Sequence, residues 1–217
     1  MRSEWSVRIA LTALALTVAG GVTAPAHAQY VAEFTPFFTS FYPLQEIKFD
    51  ETGSTTDVRL KQKTAPALGG RLTFWLSNTI GIEGAGAFIW SSPAFSAEDE
   101  SAGAEVSLPG TIFTGTGRIV VRPARTNLYL LAGGGVVSRA GEAWEGPDTK
   151  KTAIAGVAGF GARANVTPKF ALNVTVEGTF YSLDPDGSDD DGGTFFQPSF
   201  QTDITVSIGI PIGFGRR

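Results

Sequence analysis

Residues Phe200 to Phe214 read F-Q-T-D-I-T-V-S-I-G-I-P-I-G-F. Taken two at a time, Phe200, Thr202, Ile204, Val206, Ile208, Ile210, Ile212 and Phe214 fall on one side. Gln201, Asp203, Thr205, Ser207, Gly209, Pro211 and Gly213 fall on the other. A period of two with one greasy and one polar face is a β-strand signature. In a soluble sandwich the greasy face would pack into a core. In a transmembrane barrel it would face lipid, and the polar side would line the lumen. The rest of the chain decides between these.

Residues 1–28 read as a cleaved signal peptide. Arg2 and Arg8 give a basic start, Ile9 to Val18 an apolar run, and Ala26-His27-Ala28 an A-x-A cleavage site. The run is too short, and too soon broken by Gly20-Gly21 and Pro25, to be a spanning helix. The barrel is then expected over residues 29–217. The 217-residue chain has no Cys, and its single His is His27, so the exported part has neither. An exported chain without Cys carries no disulfide framework. The mature part keeps 15 basic and 20 acidic residues, a net charge of −5, which argues against a nucleic-acid partner.

Seven further alternating segments precede the last one: Val31 to Tyr42, Ala67 to Ser77, Gly81 to Ser91, Gly110 to Arg122, Leu128 to Arg139, Thr152 to Val166 and Phe170 to Tyr181. The fifth is ambiguous, because both of its faces are apolar or Gly. The connections alternate long and short, with turns at Asn78-Thr79-Ile80, Pro123 to Asn127 and Thr167-Pro168-Lys169. Eight strands with two classes of connection make an all-β, antiparallel up-and-down barrel, with both termini and the short turns at one end. Segments of about 10–14 residues are long enough to cross a bilayer when tilted.

Glu33, Glu83 and Glu177 fall mid-strand on the non-greasy side, as do Arg71, Arg118 and Arg163. A lumen of eight strands is filled by side chains, and charges there must be paired. An interior ion-pair network is expected, with Glu83 and Arg118 its best single pair. Phe34, Phe38, Tyr42, Trp90, Phe113, Phe170 and Phe214 lie near strand ends, as interface girdles require. Trp75 is expected to face inward.

Together these features resemble the small outer-membrane β-barrels, the eight-stranded family of outer-membrane protein A and the opacity-type adhesins. The resemblance rests on Gly69-Gly70-Arg71-Leu72 leading to Ser77 through Glu83, on Tyr129 to Gly135, and on Gly159-Phe160-Gly161-Ala162-Arg163 leading through Thr167-Pro168-Lys169. It implies outer-membrane location in a Gram-negative type cell and contact with lipid and lipopolysaccharide. It also implies delivery to the barrel-assembly machinery through an insertion signal matched by Ser207, Gly209, Ile212 and Phe214. The family usually ends on the aromatic, whereas this chain continues Gly215-Arg216-Arg217. Pro211 within the last strand is expected to make a local irregularity. No peptidoglycan-binding domain follows, so an anchoring role is not expected.

Barrel enzymes of this size rely on a His as general base. Lacking His and Cys after residue 28, the chain is expected to be non-catalytic and to need no cofactor. The acidic stretch Asp184 to Gly193 offers Asp184, Asp186, Asp189 and Asp191 as oxygen ligands for a cation such as Ca²⁺. It does not fit the EF-hand pattern, and a solvated charge run is the commoner meaning. The glycines of Gly81 to Gly86 and Gly133 to Gly135 open no helix, so they are not phosphate loops. Lys48, Arg59, Lys61 and Lys63 in the first long connection could meet lipopolysaccharide phosphates, or simply be solvated. A monomer with a structural or surface-interaction role through four external loops is the expected function. The alternatives are a narrow channel for small solutes or ions and, in a third class, a soluble lipocalin-like barrel.

Overall fold

A computed structural model describes residues 32–45, 47–50, 58–97, 106–144, 151–167, 170–183, 195–196 and 199–215. Eight long strands run up and down: β1 (Ala32–Pro43), β2 (Ala65–Trp75), β3 (Ile80–Ser91), β4 (Gly110–Val121), β5 (Leu128–Ala140), β6 (Thr152–Thr167), β7 (Phe170–Leu183) and β8. β8 comes in two pieces, Ser199–Gly209 and Ile212–Phe214. Each strand pairs antiparallel with the next, and β8 returns to β1, closing the barrel.

The two faces are the reverse of a soluble protein's. Phe34, Phe38, Leu72, Phe74, Ile82, Phe88, Ile119, Leu130, Phe160 and Ile208 point outward and are exposed. Ile154 reaches 85% exposure. Glu33, Arg71, Glu83, Arg118 and Asp203 point inward and are buried. So wide an apolar exterior is not a soluble surface; it is the lipid face of a transmembrane barrel. This sets aside the lipocalin-like class. The seven aromatics expected in the girdles all lie on this outer face, and Trp75 lies inside. β5 is also resolved: Leu128, Leu130 and Val136 are outward, while Tyr129, Leu131, Val137 and Arg139 are inward.

Closure is uneven along its length. Ile210 donates its N–H to the carbonyl of Pro36 at 3.1 Å. Pro36 has no N–H to give back, so this antiparallel pair carries one bond where two belong. β7 pairs with β8 only as far as Asn173 and Gly209. Beyond Pro211, Ile212–Phe214 is paired with β1. The irregularity expected at Pro211 is thus a break in the strand that leaves the β1 register unchanged.

The long connections carry structure that sequence reading treated as loop. Ile47–Asp50, Val58–Lys61, Ala94–Ala97, Val106–Ser107 and Phe195–Phe196 form a second, five-stranded sheet. It draws on the first, second and fourth long connections. The third turns back at Gly141, whose φ of +101° lies in the left-handed region. A 3-10 turn, Glu142–Trp144, follows it and buries Ala143 and Trp144. The acidic stretch 184–193, the candidate cation ligands in it, residues 1–28, and Arg216 and Arg217 lie outside the described residues.

Candidate functional site: a lumen filled in layers

The inner faces of the eight strands enclose the space along the barrel axis. It is filled in three layers. At the short-turn end, Trp75, Val120, Tyr129, Leu131 and Val157 form an apolar cluster. Arg122 stacks on Trp75, its Cζ 4.2 Å from the ring centroid.

The middle layer is ionic. Arg118 donates from Nε to Glu83 Oε1 at 2.7 Å and from Nη1 to Glu177 Oε1 at 2.6 Å. Arg71 meets Glu177 Oε2 at 3.2 Å. Its other donors go to Thr175, at 2.5 Å, and to Ser207. The Arg71 guanidinium also lies 4.4 Å from the Phe37 ring. Thr73 donates to Glu83 Oε2, and Tyr129 and Thr175 share a hydrogen bond. Two arginines and two glutamates from β2, β3, β4 and β7 are thereby bound into one group. Such a group survives burial because each charge has both an opposite charge and hydrogen bonds.

The other two expected members, Glu33 and Arg163, form a separate pair at 2.6 Å, joining β1 to β6. All six side chains lie on the inner side, but as a foursome and a pair. Among the described residues the foursome sits on strands where period-two reading placed its members.

The layer toward the long loops was missed. It combines Phe41, Ile89, Ile112, Val137, Trp144, Tyr181 and Leu183 with Arg139 and Asp203. Tyr181 donates its hydroxyl to Asp203 Oδ2 at 2.6 Å. Arg139 lies 4.9 Å from the Tyr181 ring and 5.2 Å from the Trp144 ring. Arg139 closes an ambiguous strand, and Trp144 belongs to a connection, so neither had a periodicity to announce it. Asp203 did sit on the polar side of the opening stretch.

Between the ionic and outer layers lies a cavity of about 40 Å³, touched by Arg71, Arg118, Glu177 and Asp203 among others. That is room for about three water molecules.

The insertion-signal residues divide by face. Ser207 and Gly209 are buried inward, Ile212 and Phe214 exposed outward. Ser207 accepts from Arg71. A side chain at Gly209 would meet Thr35 Cγ2 at 2.7 Å and the Pro36 carbonyl at 2.8 Å. Both therefore have packing reasons for their identity. No group of three or more His, Cys, Asp or Glu that could hold a metal occurs among the described residues. Lys61 and Lys63 are exposed, whereas the side chains of Lys48 and Arg59 lie outside the description.

No protein-family model matches the sequence. A search of curated proteins also finds no match. Solved structures do match. The outer membrane protein OprG from Pseudomonas aeruginosa is similar with a TM-score of 0.56 at 14% identity, over 87% of this chain and 98% of that one. The outer membrane protein AlkL in lipid bilayers is similar with a TM-score of 0.51 at 15% identity, over 90% of this chain and 96% of that one. At such identities the likeness is one of fold. This chain has the fold of the small eight-stranded outer-membrane β-barrels, and its exposed apolar belt sets it in the outer membrane.

Proposed function

We propose that this barrel is a non-catalytic, monomeric platform that presents its long loops to the exterior and does not conduct along its axis. The observation that carries the reading is the filled lumen: an apolar layer, an ionic layer and an outer aromatic layer succeed one another across eight strands. The small volume left between them, a cavity of about 40 Å³, supports a lumen closed to hydrated ions. The five-stranded loop sheet supports the second half of the reading, because it holds three connections in one shape. An external ligand or lipopolysaccharide is the partner such a surface would meet. Insertion would use the assembly machinery, with Phe214 outward at the end of β8.

Single-channel recording of the purified barrel in planar bilayers tests this. No discrete steps above the lipid baseline is the expected result. Steady unitary conductance would favour the narrow channel and reject the platform reading.

A further inference from the structure

We propose that the outer mouth of the barrel is a binding site for a small oxyanion, a carboxylate or phosphate group, received by Arg139 when the Trp144 turn is displaced. The observation is where buried polar atoms go unsatisfied. Buried polar groups in folded proteins are nearly always hydrogen-bonded, and each exception needs a reason. Here Arg139 Nε, Nη1 and Nη2, Trp144 Nε1, Ser91 Oγ, and both amide atoms of Gln62 have no hydrogen-bond partner. In the two lower layers only Arg71 Nε, Arg118 Nη2 and Asn173 Oδ1 share that condition.

The orphaned atoms belong to one neighbourhood. Ser91 pairs across the sheet with Gly110. A methyl at Gly110 would stand 3.0 Å from Trp144 Nε1. Trp144 in turn lies against Arg139. Gln62 stands three residues before the start of β2, at the same end of the barrel.

Their chemistry points one way. Arginine and the indole only donate, serine and glutamine can donate, and none of the set carries negative charge. Arg139 is 2% exposed, and no carboxylate of the described residues forms an ion pair with it. Asp203, at the same end, accepts from Tyr181 and lies near enough to Arg139 to feel its charge. A buried guanidinium whose donors stay unfilled is costly even so. It is also the side chain best shaped to take two oxygens of a carboxylate or phosphate at once. The Trp144 and Tyr181 rings flank the guanidinium.

The covering element is slight: a three-residue turn, tied by Ala143 N–H to the Pro109 carbonyl at 3.2 Å and by Trp144 N–H to the Gly141 carbonyl at 2.9 Å. The site lies inside the wall, so it takes a soluble anion and not a lipid headgroup in the surrounding leaflet.

The test follows the Trp144 indole N–H by ¹⁵N–¹H NMR, with the barrel folded in a maltoside detergent that carries no phosphate. Trp144→Phe assigns the peak. Sodium phosphate, and separately sodium acetate, replaces sodium chloride at constant ionic strength. At least one oxyanion is expected to shift this peak saturably and to leave the Trp75 and Trp90 peaks in place. Arg139→Gln is expected to abolish the shift. Arg139→Lys, which keeps the charge and loses the planar fork, is expected to weaken binding at least tenfold and serves if the glutamine variant does not fold. Arg122→Gln, at the opposite end, should titrate like the native protein. No saturable shift with either anion, or an equal shift without Arg139, would overturn the site and leave trapped water as the occupant.

Discussion

Arg163 on β6 reaches Glu33 on β1, Nη1 to Oε2 at 2.6 Å, and so bridges two strands that do not pair with each other. Between them around the wall lie β7 and the weakly paired tail of β8. The ion pair thus spans the part of the barrel where backbone bonding is thinnest. Hydrogen exchange should find this weakness. The amides of Ile212–Phe214 are expected to exchange faster than those of Asp203 to Gly209, and faster still in Glu33→Gln. Equal protection along β8 would mean that the break at Pro211 has no energetic weight.

The central foursome makes a second prediction. Arg118→Ala leaves Glu83 and Glu177 without one of their partners, and breaking a buried pair in this way costs about 3–5 kcal/mol. Replacing the pair together, Glu83→Leu with Arg118→Met, should recover most of that loss, because a matched apolar pair pays no desolvation. Urea unfolding in lipid vesicles, followed by heat-modifiable gel migration, measures both. A double variant as unstable as the single one would show that the ions matter for more than their mutual charge.

Two glycines with opposite surroundings make a third. A methyl at Gly135 on the inner face of β5 would run into the Gly115 carbonyl of β4, whereas one at Gly117 on the outer face meets nothing within 4 Å. Gly135→Ala is expected to destabilise the fold by about 1–3 kcal/mol through overpacking. Gly117→Ala should fall within about 0.5 kcal/mol of native, as surface changes do. The same unfolding assay reports both.

The lipid face can be tested at Leu72, next to Arg71 and on the opposite side of the strand. Leu72→Arg should cost about 2–4 kcal/mol near the bilayer midplane. Thr116→Arg adds the same charge to the inner face and should instead disturb the ionic layer. Insertion into vesicles that tolerated Leu72→Arg without loss would put this face out of lipid.

Trp144→Ala removes one layer of three. Because the ionic and inner apolar layers remain, this variant is expected to stay electrically silent in planar bilayers. Conductance from this change alone would mean that the turn is the barrel's single seal.

Much of this was legible in the sequence, and the reasons differ by residue. Strand number and facing follow from a strict period of two, which also puts Glu83 and Arg118 on the inner faces of the adjacent strands β3 and β4, where they stand directly opposite each other. β5 could not be read, because Gly133 to Gly135 and its leucines give both faces the same polarity. The loop sheet was missed because its strands are two to four residues long, too short for alternation to register. Arg139 was passed over at the end of the ambiguous strand, and Trp144 belongs to a turn whose burial depends on the curl at Gly141.

The loop sheet has an immunological corollary. Its pairings run from the fourth connection to the first, then on to the second, while the third tucks its tryptophan into the barrel. An antibody raised against the folded surface would read main-chain shape contributed by several segments together. Its epitope would vanish when the barrel is boiled, and synthetic peptides copying single loops would compete for it poorly.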